Sequence, residues 1–429
     1  MKTFYQILGN TLIAAVTNNF VWFALTFWVY LETKSVLATA YIAGIYLVAT
    51  ALSGFWLGSI VDHNKKKTVM MGSSIVTLAL FSGSLILFLL SPESTFKNIE
   101  SISLWALVLL LMLGVIAGNI RNIALPTLVT LLVPEEKRDR ANGMSGTVIG
   151  VSFTITSVAS GLMLANGGML AVLIVSIVFT SLAIIHLLFI GIPEKKIVPI
   201  EGAPKKIDLK GTFLVVKAIP GLLALILFAT INNFLGGVYM SLMDPYGLSL
   251  VSVQEWGFLW GFLSLGFILG GLIIAKKGLG KNPLRTLFLA NIAMWTVSIF
   301  FTIQPWIVLL AVGMFTWICL VPFAEAAEQT IIQKVVPPER QGRIFGFAQS
   351  VEQAASPLTA FLIGPIAQFI FIPFMTTGSG VDLIGGWFGV GQGRGIALVF
   401  TVTGIIGLIV TLLAIRSKPY KLLSKRYLE

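Results

Sequence analysis

The sequence predicts an all-α integral membrane fold of twelve transmembrane helices in two pseudo-symmetric six-helix bundles. Three observations predict it: too little charge for a soluble surface, a series of bilayer-length apolar runs, and an internal repeat relating the two halves. Of 429 residues, 56% are hydrophobic and 11% charged, whereas a soluble domain carries roughly 25% charged residues. In lipid, only helices and closed barrels satisfy every backbone group. Barrel strands would alternate in polarity over segments of about ten residues. Here the apolar runs are uninterrupted, as at 104–117 and 170–192, and about 20 apolar residues cross a bilayer.

In chain order the spans read as about 8–31, 38–60, 69–90, 104–130, 143–165, 169–191, 220–243, 256–275, 285–303, 306–332, 345–373 and 395–415. The first is full membrane length without a small-residue cleavage site, so it reads as an uncleaved helix. With a cytoplasmic N-terminus, only Lys34, Lys97 and Arg394 fall outside and Arg121 within a span; the rest of the 29 basic residues fall inside. The positive-inside rule therefore selects a multi-pass topology with both ends cytoplasmic. It also explains the net charge of +11 through lipid topology, without nucleic acid. The expected organisation is a first bundle over 1–192, a cytoplasmic linker over 193–219, a second bundle over 220–416 and a basic tail over 417–429. Within the linker, 208–219 reads as an interfacial amphipathic helix.

The repeat is explicit. Val133-Pro134 through Gly143 follows span 4, and Val336-Pro337 through Gly346 follows span 10; Val, Pro, Glu, Arg and Gly match at a constant separation of 203 residues. Asn18-Asn19-Phe20 in span 1 likewise matches Asn232-Asn233-Phe234 in span 7. A six-span unit repeated in parallel is the plan of a transporter with an axis along the membrane normal.

Between spans 2 and 3 stands Gly58-Ser59-Ile60-Val61-Asp62-His63-Asn64-Lys65-Lys66-Lys67. This resembles the signature loop of the major facilitator superfamily: a glycine, an aspartate four on, then a basic cluster. The second glycine usual near Asn64 is absent. The resemblance covers the whole chain, and segments 121–143 and 329–357 look like the multidrug-efflux branch that includes tetracycline and macrolide exporters. It implies that Asp62 caps the start of span 11 near Gly342 and Arg343 as a conformational latch. Lys65, Lys66 and Lys67 read either as part of that latch or as positive-inside anchors. In the second half, 271–275 occupies the matching place and the aspartate is gone.

Charges inside spans are costly and are functional candidates by default. Arg121 lies thirteen residues before Pro134, about 20 Å into its helix. Glu325 and Glu328 are three apart and share a helix face. The resemblance implies that spans 1, 4, 7 and 10 line a central cavity, so Arg121 is expected to face Glu325 or Glu328. Making and breaking that pair would change proton affinity, as an antiporter requires. Glu352 in span 11 reads as a second titrating site or as solvated at the inner vestibule. Asn18, Asn19, Asn232 and Asn233 either bond between helices or contact substrate. Span 5 is glycine-rich without the proline of the family's antiporter signature, and 378–395 reads as an ordered external loop.

One cysteine and two distant histidines leave no disulfide and no His-rich metal site; no metal and no cofactor is expected. The expected function is proton-driven export of amphipathic, drug-like small molecules by alternating access. The partners are then the substrate, protons and the bilayer of a bacterial plasma membrane, with the chain a monomer. The alternatives are a transporter of a lipid or endogenous metabolite and, from another class, a membrane sensor or enzyme. No Walker loop, His-Glu-x-x-His or placeable Ser/His/Asp set supports an enzyme.

Overall fold

The computed structural model describes residues 1–33, 36–194 and 208–429. Most of the linker, with Lys195, Lys196, Lys205 and Lys206, lies outside the described residues, as does Lys34. The principal helices are α1 (Lys2–Thr33), α2 (Val36–His63), α3 (Lys66–Leu90), α4 (Ile102–Gly118), α5 (Ile120–Leu132), α6 (Arg138–Leu188), α7 (Leu209–Ala218), α8 (Leu222–Leu248), α9 (Val253–Lys277), α10 (Pro283–Phe300), α11 (Ile307–Val335), α12 (Gln341–Ile366), α13 (Gln392–Arg416) and α14 (Lys418–Leu428).

Among the described residues, eleven helical stretches are long and apolar enough to cross a membrane. One of them is double. At 1.5 Å per residue, the 51 residues of α6 would run about 77 Å, more than twice the apolar thickness of a bilayer. The helix breaks at Gly168, which has φ 62° and ψ −168°, a conformation a side chain would strain. The two parts match the expected fifth and sixth spans, and the total is twelve. The span expected at 104–130 is one stretch, Ile102–Leu132, interrupted at Asn119. The repeat separation carries Asn119 onto Pro322, inside α11, so both halves interrupt their backbone ladder at the same place.

The chain divides into two compact units. Unit 1 comprises Met1–Ala141, Val148–Thr212 and Val336–Ser350; unit 2 comprises Asn142–Thr147, Phe213–Val335 and Val351–Glu429. The start of α12 thus belongs with the first unit, and six residues of α6 belong with the second. The inherited Val-Pro segments explain how each start is held. In unit 1, Gln341 Nε2 donates to the Val336 carbonyl (3.0 Å) and Thr130 Oγ1 donates to Gln341 Oε1 (2.7 Å). At the repeat-related position, Arg138 Nε donates to the Val133 carbonyl. In unit 2, Asn142 Nδ2 donates to Thr330 Oγ1 (2.8 Å) and Gln333 Oε1 (2.9 Å).

Each unit has its own apolar core. In unit 1 it gathers Phe20, Trp28, Phe81, Phe96 and Leu111; in unit 2, Tyr239, Trp295, Phe301 and Phe400. Large apolar side chains also cover the outside, with Phe258 82% exposed and Phe361 77% exposed. Water would not tolerate apolar cover on this scale, and lipid does. Against lipid the packing inside a unit comes from close approach rather than from a hydrophobic difference. Gly58 shows the consequence: a Cβ there would sit 2.5 Å from the Gly342 carbonyl oxygen, with Gly346 Cα at 3.1 Å. Gly44 has nothing within 4 Å of the same position. Gly58→Ala is therefore expected to cost about 1–3 kcal/mol by forcing α2 from α12. Gly44→Ala stays within about 0.5 kcal/mol. Thermal unfolding of the purified variants in detergent checks the contrast.

Candidate functional site

Asp62 ends α2 where α12 begins. The first N–H groups of a helix have no partner in the helix and carry partial positive charge. Gly342 N–H donates to Asp62 Oδ1 (2.6 Å) and Arg343 N–H donates to Oδ2 (2.9 Å). The Arg343 Nε lies 3.6 Å from Oδ2. The carboxylate is buried, 8% exposed, so these charge-assisted bonds act with little screening. His63 completes the group: its Nδ1 is 2.8 Å from the Ser59 carbonyl and its Nε2 is 2.8 Å from Arg343 Nη2. That network assigns the proton to Nδ1 and makes Nε2 the acceptor. The sequence reading missed His63 as a partner; its only local signal is adjacency to the aspartate.

The lysines next to this loop serve a second junction, also in unit 1. Glu194 accepts from the backbone N–H of Lys66 (2.6 Å) and of Lys67 (2.9 Å), capping α3. Lys67 Nζ donates to the Leu188 (3.0 Å) and Ile190 (2.7 Å) carbonyls at the end of α6. A cation there suits the negative end of a helix. Lys65 precedes α3 without a side-chain capping bond. In this structure Lys66 and Lys67 thus tie α3 to α6, a job neither sequence alternative contained.

Arg121 is buried, 4% exposed. Its Nη1 donates to Asn10 Oδ1 (2.7 Å) and its Nη2 donates to Ser74 Oγ (2.7 Å). Asn10 is itself oriented by donating to the Ala183 carbonyl (2.7 Å). The sequence reading pairs Arg121 with Glu325 or Glu328; here its bonds go to neutral side chains of its own unit. Beside it is a cavity of about 10 Å³ lined by polar groups including Thr17, Asn18, Ser73 and Thr77, room for about one water.

The expected carboxylates lie in unit 2. Glu325 and Glu328 lie on α11, three and six residues past Pro322, and Glu352 lies on α12. The carboxyls of Glu328 and Glu352 interact directly, and Glu325 is near enough to repel both. Glu328 Oε1 and Glu352 Oε1 are buried without a hydrogen-bond partner, while Glu325 is exposed. Glu352 neighbours the acidic pair, a proximity that spacing along one helix could not reveal.

The asparagines bond between or within helices. Asn19 Nδ2 donates to Ser152 Oγ (3.0 Å), and Asn18 Nδ2 lies 3.5 Å from the Val115 carbonyl. Asn232 Oδ1 accepts from Trp295 Nε1 (2.8 Å), and Asn233 Nδ2 donates to the Ala229 carbonyl (3.1 Å). In the expected external loop, Gly380–Phe388 is helical, and Arg394 donates to the carbonyls of Phe388, Thr302 and Ile303.

The family model of the Major Facilitator Superfamily matches residues 7–360, and the chain belongs to that family. It is a membrane transport protein rather than an enzyme. It is 22% identical to macrolide efflux protein A of Streptococcus pyogenes over 383 residues, covering 86% of this chain and 90% of that one. It is also 22% identical to the enterobactin exporter EntS of Escherichia coli over 336 residues, 77% of each chain. Among solved structures it resembles the human organic anion transporter MFSD10 (TM-score 0.66, 10% identity, 95% of this chain and 99% of that). It also resembles a bacterial homologue of the iron transporter ferroportin in an outward-facing state (TM-score 0.67, 13% identity, 96% and 99%). These two likenesses establish the fold alone.

Two substitutions probe the unit 1 groups. Asp62→Asn keeps the shape but faces a donor toward the α12 N–H groups, with an expected loss of about 1–3 kcal/mol. Asn10→Leu strips a partner from a buried guanidinium and is expected to cost about 3–5 kcal/mol. Thermal unfolding in detergent reads both, and Asn10→Leu should fall further.

Proposed function

We propose that this transporter exports amphipathic, drug-like molecules from a bacterial cell in exchange for protons, by alternating access. The observation that carries the reading is the acidic group Glu325, Glu328 and Glu352: three mutually interacting carboxyls on membrane-spanning helices, two with a buried oxygen that has no hydrogen-bond partner. Charge held inside a span at such expense is expected of a proton or substrate pathway. The likeness to macrolide efflux proteins supports the proposed direction and substrate class. On this reading the acidic group takes up protons from outside and releases them inside, and a cationic amphipath competes with them for the same carboxylates. Arg121, Asn18 and Asn19 set the polarity of the first unit's interior, and Asn232 and Asn233 that of the second.

Asp62 with Gly342 and Arg343, beside Gly58, is proposed as the latch that favours one conformation; Lys66 and Lys67 support it through the α3 junction, and Lys65 is proposed to add its charge to the same loop. The basic-residue distribution supports cytoplasmic termini in a plasma-membrane protein, and a bundle over 1–192, linker, bundle over 220–416 and tail remain the proposed functional divisions. A working monomer is proposed. A second reading, export of an endogenous metabolite, is favoured by the likeness to the enterobactin exporter.

Everted membrane vesicles test the first reading. With a proton gradient imposed and then collapsed, the transporter should accumulate a macrolide or a fluorescent cationic dye only while the gradient lasts. Glu325→Gln, Glu328→Gln and Glu352→Gln should each reduce the initial rate by about tenfold or more, a loss of roughly 1.4 kcal/mol in effective driving interactions. Accumulation indifferent to the gradient, or intact in all three variants, would overturn proton coupling. Gradient-driven transport of neither compound would favour the metabolite reading.

A further inference from the structure

The basic tail is a folded element, and none of the foregoing uses it. Helix α14 has two distinct faces. Its inward face is docked on unit 2: Leu423 is buried at 1% exposure, and the Tyr420 ring meets Phe288 edge-on at 5.1 Å. Asn282 Nδ2 donates to Ser424 Oγ (2.8 Å), and Lys334 Nζ stands 4.8 Å from the centre of the Tyr427 ring. These contacts come from the residue before α10, from the first two turns of α10 and from the last turn of α11, while Gly221 before α8 packs on Pro419 and Leu423. All three are ends of membrane-spanning helices on the same side by connectivity. The helix is therefore held at the level where those spans leave the bilayer.

Its outward face carries Lys418, Lys421, Lys425 and Arg426 with the exposed Leu422 and Leu428, and Glu429 as its one acid. At the edge of this face Tyr420, Lys421, Ser424, Lys425, Leu428 and Glu429 line a shallow surface depression, where Lys425 Nζ is 3.8 Å from Glu429 Oε1 in an exposed pair that a lipid phosphate would replace. Cations interleaved with leucines at headgroup depth match an anionic lipid better than a soluble partner. The ammonium groups reach phosphate while their stems and the leucines meet acyl chain. The inner leaflet supplies that charge, and its attraction falls away within a Debye length.

We infer that the outward face of α14 binds the headgroup of an anionic phospholipid, with Lys421 and Lys425 on its phosphate. The inference rests on the cytoplasmic placement of the C-terminus proposed above, but lipid binding in detergent does not depend on sidedness, so the two fail separately. The test is native mass spectrometry of the full-length protein in detergent, titrated with phosphatidylglycerol or phosphatidylcholine at two salt concentrations. Wild type should retain phosphatidylglycerol over phosphatidylcholine, less at higher salt. Lys421→Gln with Lys425→Gln should weaken phosphatidylglycerol about tenfold and leave phosphatidylcholine unchanged. Both side chains point outward, so thermal unfolding should be unaltered; Lys418→Gln with Arg426→Gln serves as a second variant and should weaken the same lipid. Equal retention of the two lipids, retention unchanged in both double variants, or displacement of phosphatidylglycerol by millimolar inorganic phosphate would overturn the assignment.

Discussion

A carboxylate at the open end of a helix organises the first unit. Asp62 accepts from the Gly342 and Arg343 N–H groups, and these are donors that α12 cannot satisfy from within. Because the bond is long-range in sequence, it fixes where the start of a second-half helix rests. The surrounding choices follow from it. Gly342 is needed because a Cβ would collide with the Asp62 carboxylate, Gly58 because a Cβ would strike the Gly342 carbonyl. Arg343 adds a charge near the carboxylate, and His63 turns its acceptor nitrogen toward that arginine. On the proposed reading, a bond that holds one conformation this firmly is also what transport must release.

The same physical problem, a charge or a helix end without water, is solved differently elsewhere. Glu194 repeats the carboxylate solution at α3. Arg121 has neutral partners, Asn10 and Ser74, and Arg394 is wrapped in backbone carbonyls at the other end of the chain. Where the second half lacks an equivalent of Asp62, Asn142 and Gln333 make a neutral junction instead. The acidic group of unit 2 stands apart because Glu328 Oε1 and Glu352 Oε1 are buried without a hydrogen-bond partner. That is the arrangement expected where protons or a cationic substrate must come and go, and it is why the proposed coupling is put there.

Much of the fold was legible because it is written in short-range patterns. Apolar run length gave the spans, while the lysine distribution and the 203-residue repeat carry the proposed topology and the proposed two halves. Gly58 and Asp62, four apart before a basic cluster, marked the loop whose partner the structure finds at Gly342. What was not legible depends on packing between distant segments. Asn10 and Ser74 are ordinary polar residues in apolar helices, and nothing in their spacing points to Arg121. Glu352 lies on a different helix from Glu328, so only the folded chain brings their carboxyls together. Glu194 looked like linker composition, yet it caps α3. The exchange of short segments between the units, 336–350 and 142–147, was present in the repeat as matching sequence but not as an address.

The claim that Asp62 pins the start of α12 is tested most directly by accessibility. Cys319 is the one cysteine of the chain, and Ser350 on α12 is buried at 2% exposure beside Gly54. In a Cys319→Ser background, Ser350→Cys should react slowly with a water-soluble maleimide. Adding Asp62→Asn should speed the reaction by about tenfold, since losing charge-assisted bonds worth roughly 1.5–3 kcal/mol frees the helix end. Equal labelling rates with aspartate and asparagine at position 62 would contradict the account.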